Sequence, residues 1–598
     1  MSAIQAITAI FRDDVVPVLR CSTSTGIAPL GVVFDGAITS SDVQNFSDLT
    51  YFFDYGDPGA DTFTNGMYQG KTKNKQVGGP EGVYVYTSTG TFTASMWVHD
   101  GIRMWGPVSK TITVDSADSY YSGNNTICIS TSGDFTNAPP GSLQITTSSY
   151  KTAIDTYLKT GKRVLFRASE TFLLSASVGF SGQNNFYLGS YGTGPRPIVL
   201  YTGTDISAFA IFAAGSIVAN NPYNGKIENL NFQGGESTGT TSGITGVGTG
   251  GSPADPSTMV GNYVINNCNF DYVGTPLSFT NLKNLVVNKC SFTYVARGIP
   301  TGGQIGLYVA GFHQFGIIDC NFNNEFGGEH VTRIQGGKIA AIISSEFRRT
   351  QGIRQLLTIR GSSSYETEYI TVAGNMIDGR LSTNNWLMTI APQNTTSFEP
   401  ISRIVLESNY FIACDGPSQV ALVLESDYIH INNNVFHLHS TSTQSGMNFI
   451  TLRVANTVGL NPPSNVSIKY NTFYNEKSTF SGIFISSTAT NTKIYGNLAY
   501  APNAISSTVI SGTGIDTTSS FNTTDLQVTT INPLFLGVTT GSNSFAGFQI
   551  STSSFYVNSG TNFNVYTDAQ GNLRNNVGLW DLGAINSAGK QVDAWTLI

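Results

Sequence analysis

The densest run of chemistry-bearing side chains is NNEFGGEHVTRIQGGK, Asn323–Lys338. Glu329, His330, Arg333 and Lys338 follow one another there, and Arg349, Arg354 and Arg360 come soon after. Charged residues make up only 12% of the chain, against roughly 25% in ordinary soluble domains, so this cluster stands out. A carboxylate, an imidazole and several cations in one place suit β-elimination on a uronate. A base removes the proton α to the carboxyl, and a cation or a Ca²⁺ ion stabilises the enolate-like charge. Lys or Arg in the role of base needs a depressed pKa, which neighbouring cations help supply. The plainer alternative is a ladder of salt-bridged residues at surface turns.

Hydrolysis would instead need two facing carboxylates. Glu407, Asp415, Glu425, Asp427 and Asp378 are the candidates by position. Sugar rings stack on outward aromatics, and Trp386 and Phe484 are placed for that, with Tyr308 near a strand edge. Arg354, Glu425 and Arg453 complete the candidate substrate-binding set. No CxxC pair occurs among the six cysteines, so no zinc site is expected. His437 and His439 alternate on one strand end and do not read as a metal pair. The only cofactor this chemistry would call on is Ca²⁺.

The elements that must hold these residues repeat. An apolar strand, an Asn or Asp, two small or polar residues and an aromatic recur as IENLNF (to Phe232), VINNCNF (to Phe270), VVNKCSF (to Phe292) and IIDCNF (to Phe322). Weaker copies end at Phe347, Met376, Phe411, Phe436, Phe473 and Leu498. The closing residues are 38, 22, 30, 25, 29, 35, 25, 37 and 25 positions apart. Such a period, with short strands and no helix, marks a β-solenoid whose turns stack to bury a shared core. A second register runs LLTIRG, LMTIAP, LVLESD, ITLRVA and IFISST. Period-2 alternation turns Leu357 and Ile359 inward, and Thr358, Arg360, Thr389, Val423, Glu425, Thr451, Arg453 and Phe484 outward. Cys268, Cys290 and Cys320 each stand two residues before the aromatic, which predicts a buried thiol column, with a disulfide between adjacent turns as the lesser alternative. Asn288, Asn409, Asn434 and Asn471, with Asp319, read as a second structural column bonding turn backbone from coil to coil.

Residues 21–117 lack the repeat. Alternating strands bounded by Gly, Pro and Asp, among them Thr91–Val98, predict a β-sandwich. The phrases FDYGDPG, VYTSTGTFTASMWV and TITV resemble the PKD family of immunoglobulin-like domains, which implies a spacer or binding module. Next, Ala153, Ile154, Tyr157 and Leu158 share a helical face, with Ser148 or Ser149 as cap and Gly161 as stop. A helix here would cover the open end of the solenoid. TSSYKTAIDTYLKTGKRVLF resembles the start of right-handed parallel β-helices of the pectin-lyase-like class, as in phage tailspikes and secreted polysaccharide lyases. The tail, Tyr556–Ala584, resembles their closing coil. LTIRG resembles the LTLRHG-like phrase of β-helical lyases acting on alginate and dermatan, which implies Arg360 as the enolate-stabilising cation and Arg333 or Lys338 as the base. Here Gly361 stands where those lyases have His.

These readings predict an all-β chain in four parts: residues 1–20 leading, 21–117 a PKD-like sandwich, 118–530 a right-handed parallel β-helix with an N-terminal cap helix, and 531–598 a closing coil and C-terminal cap. Net charge is −7 and the cations are dispersed, which argues against nucleic acid. No apolar run of 18 residues exists to insert in a membrane. MSAIQAITAIFRDD lacks a basic residue before its short apolar stretch and makes a poor secretory signal. The expected partner is a polysaccharide, with other virion proteins or a second copy of the chain as further candidates. Three functions follow as expectations: a virion surface protein such as a tailspike or decoration fibre that binds host polysaccharide, with or without cleaving it, a secreted polysaccharide lyase, or a non-catalytic adhesive β-helix.

Overall fold

The computed structural model describes residues 15–37, 39, 48–100, 103–176, 178, 183–203, 212–213, 224–234, 244–247, 252–293, 305–324, 329–349, 354–380, 386–412, 418–442, 447–454, 459–536, 548–559, 567–570, 574, 581 and 583–586. Cys414 and Asp415 lie outside them.

The sandwich pairs a three-stranded sheet (Arg20–Cys21, Leu30–Asp35, Glu81–Tyr86) with a five-stranded one (Thr25–Ile27, Met104–Asp115, Gly90–His99, Thr50–Asp54, Lys75–Gly78). Its core includes Val32, Phe34, Tyr51, Phe53, Tyr84, Tyr86, Met96 and Ile112, and it also takes in Val15 and Leu19 from the leading segment. The FDYGDPG phrase is a turn held by its own carboxylates. Asp54 accepts from Gly56 N (2.8 Å) and Asp57 from Gly59 N (2.9 Å). Gly56 has φ +72°, and a Cβ there would meet Thr93 O at 2.3 Å, so only glycine fits.

From Thr126 onward the strands pair in parallel, coil on coil, which is a parallel β-helix. Each coil contributes to three flanks. Sheet A holds Leu277–Thr280, Leu357–Arg360, Met388–Ala391, Ser418–Val423, Asn448–Arg453 and Thr479–Ile485. Sheet B holds Val260–Asn266, Leu282–Asn288, Thr367–Ala373, Ile401–Glu407 and Ser426–Asn432. The long strands Ile305–Ile318 and His330–Ile343 bend from A to B, the first near Gly311 (φ +61°) and the second near Gly336 (φ +55°). Sheet C is twelve-stranded and carries the repeat's aromatic column.

That column is the spine of the core. Phe270, Phe292, Phe322 and Phe347 are buried and stack with centroids 5.2, 4.4 and 5.0 Å apart and ring planes within 6°. In the aromatic column Ile377 and Ala499, not the expected Met376 and Leu498, hold the register positions. Two residues before each position runs one corner column, Cys268–Cys290–Cys320–Ser345–Asn375–Asn409–Asn434–Asn471–Asn497, continued by Asn522. The three cysteines are buried and free. From Asn375 on, each side-chain oxygen accepts the amide of the residue one coil earlier at 2.9–3.0 Å. This satisfies turn backbone that would otherwise be buried unpaired. Asn288 and Asp319 do not belong to it. They sit at other offsets from the aromatic, Asn288 on sheet B and Asp319 one residue before its column position.

The cap helix is Tyr150–Tyr157, shorter than the span its pattern suggests, with Ser149 accepting from Thr152 N at 3.1 Å. Tyr150, Ala153, Ile154 and the following Leu158 enter the solenoid core. At the far end, the short helix Asp525–Thr530 buries Val528 and seals the last coils. Among the described residues, the tail beyond adds no further coil to the stack. Phe535 and Phe548 fold back over sheet C against Tyr474, and Phe548 also covers His437. Arg574 is buried over the Tyr470 ring (4.3 Å) and bonds Asn433 (2.9 Å).

The spacer implied by the PKD resemblance would stand apart. Instead the sandwich lies flat on sheet B. Val33, Phe52, Phe63, Tyr68, Val77 and Val83 share one core with Val264, Val286, Ile318, Ala341, Ile343 and Ala373. Asp319, fully buried, pairs with Lys73 (2.6 Å) and accepts from the amides of Thr64 and Asn65 (2.8 Å each). This buried latch ties the two parts together.

Candidate functional site

With sheet B covered, the outward side of sheet A is where the candidate residues meet. Ladder pairing aligns Tyr308, Arg333, Thr358, Thr389, Ala421, Thr451 and Phe484 in one row. At about 4.8 Å per coil this row is about 29 Å long, but Thr358, Thr389 and Ala421 in its middle are fully buried, so only its two ends are open. A second row sets Gln335 beside Arg360 and Arg360 beside Ala391, with Val423 beside Arg453 further on.

The upper end of the rows is an arginine cluster. Arg333 donates to Gln335 Oε1 (2.8 Å) and lies 5.7 Å over the Tyr308 ring. Gln335 in turn bonds Gln393. Arg360 donates to the Pro392 carbonyl (3.1 Å). Burial, then the positive fields of Arg333 and Arg354, push its pKa down to about 10, with Glu329 and Glu399 opposing. It therefore stays charged at neutral pH. Arg354 reaches Glu329 at 3.9 Å. Glu399 is buried and accepts from the amides of Gln393 and Asn394. Arg333 and Arg360 have no carboxylate within ion-pair distance among the described residues. A guanidinium in that state is ready for a planar anion.

At the lower end, half-buried Trp386 packs on Ala391, Ala421 and Val423. The exposed Arg453 lies 5.4 Å over its ring. Phe484 is 38% exposed on the first row. These three offer stacking surface and one more cation on the same flank.

Other expected members are placed elsewhere. His330 is 1% exposed and faces no outside ligand. Lys338 lies past the Gly336-Gly337 bend, on sheet B's side. Burial pulls its pKa down, but Glu368 (2.5 Å) and Glu366 (3.1 Å) outweigh this and hold it above the ordinary lysine value. It is a fixed cation, not a base. Glu425 is 5% exposed and accepts from Asn461 N (2.6 Å), so it pins a turn and binds no sugar. The hydrolase carboxylates are scattered as well. Glu407 lies under the sandwich, where the Gly78 backbone meets it. Asp427 is bonded to Ser464 and Asn465, and Asp378 to Arg380. No two of these face each other. Gln335 follows from alternation after Arg333 and was open to sequence reasoning. Gln393 and Glu399 come from the segment after Ala391 and carry no local signal.

Among the described residues no three His, Cys, Asp or Glu side chains stand together as a metal site. The arginine cluster would repel a divalent cation, so its residues do not fit Ca²⁺. No helix among the described residues is long and apolar enough to cross a membrane.

No protein-family model matches the chain, and no curated protein matches it. Among solved structures, it is similar to the tailspike protein of E. coli bacteriophage HK620 in complex with pentasaccharide, at 13% identity and TM-score 0.44, over 70% of this chain and 77% of that one. It is similar to tailspike protein 3 of bacteriophage CBA120 at 11% identity and TM-score 0.31, over 68% and 64%. It is also similar to the catalytic domain of GH87 alpha-1,3-glucanase in complex with tetrasaccharides, at 9% identity and TM-score 0.30, over 86% and 99%.

Proposed function

We propose that this chain is a tailspike-like protein of a virion surface that grips an acidic polysaccharide along the outward side of sheet A. The observation that carries the reading is the arginine cluster. Arg333 and Arg360 are held by neutral partners, Gln335 and the Pro392 carbonyl. A partly buried cation without a carboxylate is costly until an anion arrives. Charge-assisted bonds to a sugar carboxylate would supply that partner. Gln393 stands beside it to meet hydroxyls, and Trp386, Arg453 and Phe484 form a second patch for further rings beyond the buried Thr358, Thr389 and Ala421. A low share of charged residues, 12%, and a surface of Ser, Thr, Asn and Gly suit a protein working outside a cell. The division that goes with this reading is a PKD-like sandwich at 21–117, a β-helix at 118–530 and a closing segment at 531–598. Of the two bases that the lyase resemblance implies, Lys338 lies on the other flank, paired with Glu368, and Arg333 is held by Gln335; on this reading the site binds rather than cleaves.

The test is a panel of acidic and neutral polysaccharides against wild type, Arg333→Ala and Arg360→Gln. Acidic chains should bind wild type. Each variant should lose about 10–100-fold, since a hydrogen bond to a charged group is worth about 1.5–3 kcal/mol, while its melting temperature holds. Reducing ends and the ultraviolet absorbance of unsaturated uronates should stay flat. Equal binding by Arg360→Gln would sink the reading, and rising absorbance would reinstate elimination.

A further inference from the structure

Where the sandwich leans on sheet B, it leaves a cleft of about 550 Å³, well inside the range of small-molecule sites, about 300–1,000 Å³. Its walls come from the sandwich (Thr87, Thr89), from the connecting segment (Ser116, Asp118) and from the first coils (Tyr187, Glu228, Asn266, Asn288).

The cleft's cations Arg163, Lys73 and Lys289 already have carboxylate partners, and its Glu228 is held by neutral donors. Arg163 pairs with Asp118 (2.7 Å), Lys73 with Asp319 (2.6 Å) and Lys289 with Asp61. Glu228 accepts from the Tyr187 hydroxyl and from Asn266 Nδ2 (3.0 Å). An anion entering here would have to break one of these ion pairs. The contrast with the unpaired arginines of sheet A is chemical, not merely positional.

What remains available is neutral polar chemistry. One amide row runs in a single direction, Asn288 Nδ2 to Asn266 Oδ1 (2.8 Å) and Asn266 to Glu228. It leaves the Asn288 side-chain oxygen without a hydrogen-bond partner in a residue only 5% exposed. Threonine and serine hydroxyls add groups that both donate and accept. Pro29, Val85 and Ile318 line the same cleft and supply the apolar patches that the C–H face of a pyranose needs. We propose that this seam is a second binding site, for one or two rings of a neutral saccharide, separate from the row on sheet A.

The experiment uses the full chain with four uncharged disaccharides as probes: cellobiose, maltose, lactose and N,N′-diacetylchitobiose. Tri-galacturonate serves as the charged comparison. Binding is read by saturation-transfer NMR and calorimetry at about 10 mM, above a weak Kd of about 1 mM. Two exposed rim positions allow plugging, Thr87→Trp and Thr89→Trp. At least one disaccharide should bind with one-to-one stoichiometry. Plugging at either position should weaken it at least about tenfold, and Arg360→Gln should leave it unchanged. The proposal is overturned if none of the four binds, or if binding survives both plugs. The reading of sheet A stands or falls separately, on whether Arg360→Gln, and not a plug, weakens tri-galacturonate.

Discussion

Glu407 is the most exposing test of how the sandwich sits on the β-helix. Its side chain points outward from sheet B into the covered interface and is 7% exposed. Asn433 Nδ2 approaches one carboxyl oxygen (3.4 Å), and a Cβ on Gly78 of the sandwich would lie 3.0 Å from the other. Burial raises its pKa from 4.5 to about 7, against the opposing pull of Asn433 and the buried Arg574. Between pH 4.5 and about 7 the folded chain holds a proton that the unfolded chain has released. Stability from this group is therefore full below pH 4.5 and is lost as pH rises through about 7. At about 1.36 kcal/mol per pH unit, the gap is worth at most about 3 kcal/mol. Glu407→Gln removes the titration but keeps the shape. Urea unfolding of both proteins across this range should show the wild type losing up to about 3 kcal/mol relative to the variant as pH rises, with a plateau above neutrality. A difference that stays flat, or grows the other way, would mean that Glu407 is open to water and that the sandwich does not close over it.

Two further outcomes follow from the same packing. Asp319→Ala should cost about 3–5 kcal/mol, because it leaves Lys73 charged and buried; adding Lys73→Met should recover part of that loss, and a cost below about 1 kcal/mol in chemical denaturation would show that the latch is not closed. Phe292→Ala removes a fully buried ring stacked on both sides and should cost about 3–5 kcal/mol, read by the same melts; a neutral result would break the aromatic spine.

The coil was legible in the sequence because its constraint is local. Every turn must place an aromatic inward at the same offset, so Phe270, Phe292 and Phe322 announce their stack. Arg360 was legible as outward for the same reason, by alternation within one short strand. Lys338 was misplaced because five residues after Arg333 looked like proximity, while Gly336-Gly337 turns the strand onto another flank. Asp319 was misread because it stands one residue from a true column.

The docking surface did leave a trace. VINN, VVNK and AAII are apolar at outward as well as inward positions, and Val264, Val286, Ala341 and Ile343 are the outward ones that meet the sandwich. A strand buried on both faces reads as a continuous apolar run. That trace marks which flank is covered, though not by what. Under the sandwich Asp319 and Lys73 pair, while Glu407 has no cation at ion-pair distance among the described residues and is held toward its neutral form. Arg333 and Arg360 occupy equivalent outward positions on sheet A, where nothing among the described residues supplies a carboxylate to them. The repeat makes the flanks look alike; at the joint Asp319 is paired and Glu407 is pushed toward neutrality, whereas Arg360 on sheet A stays charged with no carboxylate at ion-pair distance among the described residues.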